Sequence, residues 1–186
     1  MSASESCPHC APAGPGCEHN QPINDMCFVC GYENPAGLHA QFVEDDTPGQ
    51  VTGVFTARDI HCSYPGRLHG GVIAAICDES IGRAYISGNH DHWGVTMELT
   101  VRYHKPTPLN VPLTVKASIT KETRRTFEGQ CDLFTQEGMR CVSASAIYAK
   151  LPVERIIAEC TSDDSYVWVP DTRSIPTEEL DAPEHR

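Results

Sequence analysis

Apolar and polar positions along the chain sort into short alternating runs and one long helical run. Leu38, Ala40 and Phe42 alternate with polar residues and predict a strand over 37–44. Asp45-Asp46-Thr47-Pro48-Gly49 predicts a turn, and a second strand follows over 50–57, with Val51, Gly53 and Phe55 on one face. Val72, Ile73, Ile76, Cys77 and Ile81 recur at helical spacing and predict a helix from about 70 to 86, ending near Gly88. Four more strand-like runs follow at 95–103, 113–121, 126–134 and 140–151. Turns are expected at Pro106-Thr107-Pro108, Thr123-Arg124-Arg125 and Gln136-Glu137-Gly138. Two strands, one long helix and four strands predict an α+β fold. An antiparallel sheet of about six strands wraps around one central helix, an order that needs no crossovers.

The two ends have a different character. The chain is expected to divide into a Cys-rich segment at 1–36, a body at 37–152 and an acidic extension at 153–186. Val153–Cys160 is compatible with a short helix. Tyr166, Val167, Trp168 and Val169 form an apolar island, expected to dock on the body or on a second chain.

Composition narrows the function. The chain has 186 residues and is 40% hydrophobic, enough for one sizeable core. No apolar run approaches the length of a membrane span, and Met1-Ser2-Ala3-Ser4-Glu5 lacks the basic and apolar regions of a signal peptide. A cytoplasmic protein with no membrane partner is expected. The formal net charge of −11 argues against nucleic-acid partners. An anionic ligand would need a local basic patch. Lys121, Arg124 and Arg125 form the densest one, with Arg67 and Lys105 elsewhere.

Ten cysteines without a secretory signal point to metal or burial rather than disulfides. Cys7-Pro-His-Cys10 and Cys27-Phe-Val-Cys30, separated by sixteen residues, have the spacing of a tetrathiolate zinc site. One structural zinc on Cys7, Cys10, Cys27 and Cys30 is expected, with Cys17, His9 and His19 near enough to replace a ligand. Cys62, Cys77, Cys131, Cys141 and Cys160 are expected to be small apolar core residues.

The chemistry centres on Pro65–Ser80. Gly70 and Gly71 open the helix and leave backbone N–H groups bare, where a developing oxyanion can be held. Asp78 interrupts the apolar run as a candidate general base or nucleophile, with Glu79 as the fallback if the helix is rotated. His69 and Asp78 are nine residues apart, roughly 13 Å along a helix and on nearly opposite sides of it. They cannot meet within one chain, but an antiparallel copy of the helix could bring them together in a two-fold dimer. No Gly-x-Ser-x-Gly is present, and Cys77 lies in an apolar helix interior, so serine and thiol nucleophiles are disfavoured.

At these residues the chain resembles the hotdog-fold acyl-CoA thioesterases of the phenylacetate-pathway and 4-hydroxybenzoyl-CoA type. The resemblance covers roughly residues 27 to 152. It rests on His69-Gly70-Gly71 with Asp78 nine positions on, and on Cys27-Phe28-Val29-Cys30-Gly31 followed by Asn34-Pro35 and Gly37-Leu38. Gly94-Val95-Thr96 and Tyr103-His104-Lys105-Pro106 complete it. It implies a hotdog fold and hydrolysis of an acyl-CoA to free acid and CoA, with no organic cofactor beyond CoA itself. It also implies a homodimer or homotetramer. Asp78 would be the base or nucleophile, Gly70 and Gly71 the oxyanion hole, and Thr96 a residue that helps hold the attacking water. Many relatives carry Asn or Gln six residues before the His; here that position is Ser63, a shorter side chain. The competing readings are a non-catalytic binder of acyl-CoA or another small ligand and, more weakly, an acyl-CoA hydratase or dehydratase.

Overall fold

The computed structural model describes residues 20–87, 91–158 and 168–175. Its elements are β1 (Ile23–Asn24), β2 (Gln41–Glu44), β3 (Gln50–Thr56), α1 (Gly70–Ile86), β4 (His92–Tyr103), β5 (Pro112–Glu122), β6 (Thr126–Thr135), β7 (Arg140–Pro152), α2 (Val153–Ala158) and β8 (Trp168–Val169). A single 3-10 turn, Asp59–His61, links β3 to α1.

Six strands form one antiparallel sheet in the order β2-β3-β5-β6-β7-β4. The sheet with its one long helix is the expected α+β architecture. Contrary to the expectation of no crossovers, β3 pairs with β5, and α1 carries the chain to β4 at the far edge. The helix packs against all six strands of the sheet. That crossover leaves β4, twelve residues long, as an edge strand.

Helical periodicity on α1 and alternation on the strands meet in one core. Ile73, Ile76, Cys77, Ile81 and Ala84 face Val51, Leu113, Val115, Phe127, Leu133 and Val142, all buried. Burying an aliphatic side chain of this size contributes roughly 1.5–3 kcal/mol. Gly129 lets helix and sheet approach: a Cβ there would come within 2.5 Å of the Ile81 side chain.

The first strand is shorter than the alternation suggests. His39 has φ 54°, which breaks the extended run, so β2 starts at Gln41. Leu38 and Ala40 are buried as expected, but their N–H groups bond to Phe28 O at 2.9 Å and Val29 O at 2.8 Å instead of a sheet neighbour. Residues 20–36 therefore pack directly on the body, with Ile23, Val29 and Cys30 inside the same core. Part of the apolar island also docks: Val169 pairs with Ile23 and Trp168 with Asn24, joining β8 to β1. Among the described residues no helix is long and apolar enough to cross a membrane.

Candidate active site

Asp78 lies halfway along α1, between buried Cys77 and half-buried Glu79. In β4 and β7 the register places Thr96 opposite Tyr148, and both reach across to the helix. The Thr96 hydroxyl donates to Asp78 Oδ1 at 2.9 Å. The Tyr148 hydroxyl donates to the same Oδ1 at 2.9 Å and approaches the Asp78 carbonyl oxygen at 2.9 Å. Two donors thus fix one carboxylate oxygen. Among the described residues, Asp78 Oδ2 accepts no hydrogen bond.

Tyr148 is held in turn. Its ring stacks on Phe127 with centroids 4.6 Å apart, and Phe127 stacks on Tyr85 at 4.0 Å. Burial, then the charge and hydrogen bond of Asp78, push its phenol well above the ordinary range, so it stays a donor. Sequence reading missed this residue. Its only sequence signal is a hydroxyl-bearing aromatic on the apolar face that Val142, Ala144 and Ala146 define in β7. Glu79, the fallback base, is otherwise engaged: it accepts from Arg83 Nε at 2.8 Å.

Asp78, Thr96 and Tyr148 open onto a cavity of about 450 Å³, whose walls include Trp93, Gly82 and the Cys27–Cys30 turn. Cys30 is buried and Cys27 half-buried, and their sulfurs and a Glu79 carboxylate oxygen all lie within 4.8 Å of one another. A hydrogen bond from Cys30 lowers the Cys27 thiol to about 6, against the effect of burial. The same bond, with burial, pushes the Cys30 thiol up. Cys7, Cys10, Cys17, His9 and His19 lie outside the described residues, as does Cys160. Cys77, Cys131 and Cys141 are buried as expected. Cys62 is not; it sits exposed in the loop before α1.

The other predicted residues gather at the N-terminal end of α1. His69 is the N-cap, and its Nδ1 accepts from the Gly71 N–H at 2.9 Å. The expectation of two bare N–H groups is therefore corrected to one: Gly71 is capped, while among the described residues nothing accepts from the Gly70 N–H. Tyr103 donates its hydroxyl to Gly70 O at 2.8 Å. Ser63, Arg67, Gly70, Tyr103, His104 and Lys105 line a separate open groove of about 530 Å³. One chain thus splits the site in two, with Asp78 and Thr96 in one cavity and His69, Gly70, Gly71 and Ser63 at the other groove.

The basic residues split as well. Arg124 and Arg125 sit exposed on the β5–β6 turn, with no carboxylate partner among the described residues. Thr96, Tyr148 and Phe127 align across β4, β7 and β6, so this turn lies at the Asp78 end of the sheet. Lys121 is bonded to Glu128 at 2.7 Å. Arg67 belongs to the Gly70 groove.

Residues 65–142 match the family model described as the thioesterase superfamily. No curated protein matches the sequence. Among solved structures, the chain is similar to a thioesterase superfamily protein at 32% identity and a TM-score of 0.60, over 67% of this chain and 63% of that one. It thus spans less than two thirds of that protein's length. A hypothetical thioesterase from Streptococcus pneumoniae, crystallised with coenzyme A, is 26% identical with a TM-score of 0.55, over 61% of this chain and 86% of that one. The phenylacetic acid degradation protein PaaI from Thermus thermophilus shares the fold at 19% identity and a TM-score of 0.55, over 61% of this chain and 95% of its own. In its matched segment, residues 65–142, and in the hotdog architecture around it, the chain is similar to the thioesterase superfamily.

Proposed function

We propose that the protein hydrolyses an acyl-CoA thioester to the free acid and CoA, with Asp78 as general base. The observation that carries this is the Asp78 carboxylate, fixed through one oxygen by Thr96 and Tyr148 and open at the other toward a cavity. Such a group is oriented before substrate arrives. Asp78 Oδ2 takes a proton from a water whose oxygen attacks the thioester carbon. The C–S bond then breaks, and the CoA sulfur leaves with the proton that Asp78 returns. Attack by the carboxylate itself would pass through a mixed anhydride, which hydroxylamine traps.

The oxyanion donor in this reading is the Gly70 N–H at the positive end of α1, supplied by a second copy. β4 supports the dimer. It is an edge strand with Val95, Met97 and Tyr103 exposed at 43%, 64% and 52%. A long edge with apolar side chains is a template for pairing. Edge-to-edge pairing of two β4 strands makes a homodimer whose sites take residues from both chains; two such dimers would make a homotetramer. Arg124, Arg125 and Arg67, without a carboxylate partner among the described residues, are proposed to hold the CoA phosphates. The coenzyme A bound by the Streptococcus pneumoniae protein supports this ligand class. A structural zinc with Cys27 and Cys30 among its ligands also belongs to the proposal. Free thiols at the described cysteines fit a cytoplasmic location.

The test is thiol release from a broad acyl-CoA panel by the purified chain. Turnover supports hydrolysis. Tight binding without turnover would replace this reading with a binding protein, and conversion without free thiol with a hydratase.

A further inference from the structure

The Cys27–Cys30 turn and the middle of α1 form a second polar cluster beside Asp78. Val29 donates its N–H to Cys27 Sγ at 3.4 Å, and Gly31 closes the turn onto Cys27 O at 3.0 Å. Only glycine fits there, because a Cβ would come within 2.5 Å of Cys27 backbone atoms. Backbone donation of this kind stabilises a thiolate. Across from the turn, Glu79 brings a carboxylate oxygen to within 4.8 Å of both sulfurs.

Arg83, 2% exposed, is bolted against the cluster. It donates Nε to Glu79 at 2.8 Å, Nη2 to Cys30 Sγ at 2.9 Å and Nη1 to Pro22 O at 2.6 Å. A guanidinium this deep needs compensating negative charge. Among the described residues Glu79 supplies one such charge, and that pair by itself does not call for two thiolates. A divalent cation changes the balance. Two thiolates and a carboxylate carry three negative charges, and a dication together with Arg83 carries three positive ones. A tetrathiolate in the same place, with Glu79 and Arg83 beside it, would carry a net charge of −2.

We propose that Cys27, Cys30 and Glu79 form a zinc site in the wall of the Asp78 cavity, with Arg83 as the positioning residue that balances and orients it. Sulfur and carboxylate donors at this separation suit zinc. The remaining position takes a neutral donor, so Cys7 and Cys10 are not both ligands. Glu79 follows Asp78 directly on α1, so the metal fastens the 27–30 turn to the helix where the base stands. The proposal rests on the thioesterase reading only for the meaning of that cavity.

Elemental analysis and cobalt(II) absorption on the full chain test it without reading hydrolysis. The wild type is expected to hold about one zinc per chain. A Cys7→Ser/Cys10→Ser double variant should keep that equivalent and an unchanged cobalt spectrum. Glu79→Gln should weaken cobalt binding by at least about tenfold and shift the d–d bands. Loss of metal in the double variant, with retention in Glu79→Gln, would overturn the site in favour of four thiolates. A wild type that binds no zinc after metal-replete expression would overturn it outright. Inactivity toward every acyl-CoA would remove the thioesterase reading and leave these metal results standing.

Discussion

The middle and the N-terminal end of α1 teach opposite lessons about how one helix serves a site. Around Asp78 everything is assembled within one chain: Thr96 and Tyr148 converge on Oδ1, and the Tyr85–Phe127–Tyr148 stack fixes the phenol. At the N-terminus the helix offers only an exposed His69 cap, the open Gly70 N–H and a shallow groove with free cations. The first region is finished because strands β4 and β7 cover it. The second faces outward, and among the described residues nothing completes it. The edge position of β4 supplies a route for that completion.

The largest effect should come from the finished region. Asp78→Asn is expected to lower kcat by roughly 100-fold or more, since it removes the proton acceptor and leaves the fold intact. A steady-state thiol-release assay with near-normal kcat would break the assignment. The unfinished region should respond nearly as strongly to loss of the second copy. Val95→Lys with Met97→Lys puts charges on the exposed face of β4 and should shift the mass from dimer to monomer. Hydrolysis should fall by on the order of 100-fold, because the oxyanion donor is lost. Full activity in a strictly monomeric variant, by light scattering, would show that one chain suffices.

Smaller effects sharpen the contrast. Tyr148→Phe keeps the aromatic stack but removes one donor to a charged oxygen, which corresponds to roughly 1.5–3 kcal/mol. A kcat loss of roughly 10- to 100-fold, with KM little changed, is expected. A change in KM alone would make Tyr148 a wall of the cavity only. Smallest is Arg124→Ala with Arg125→Ala. These exposed cations should raise KM for acyl-CoA a few-fold at low salt and very little at high salt, because surface charges are screened. A salt-independent loss of kcat would place them in the chemistry instead.

Periodicity alone determined the order and type of the main elements, because burying one face of a helix or strand imposes a period that survives any tertiary arrangement. The Asp78 and Thr96 pairing was legible only through a family resemblance; their bond at 2.9 Å depends on how β4 lies on α1. Register and packing decided the rest. The crossover that puts β4 at the edge, the left-handed His39 that shortens β2, and the capping of Gly71 by His69 leave no periodic trace. Tyr148 lies 70 residues from Asp78 and reads in sequence as one more apolar strand position. In the sequence Glu79 is only a fallback base, and nothing marks Arg83, four residues on. Only the fold shows that residues 20–30 help bury Arg83 against a half-buried Glu79, because a sequence states which groups a chain carries while three-dimensional packing decides which are taken out of water together.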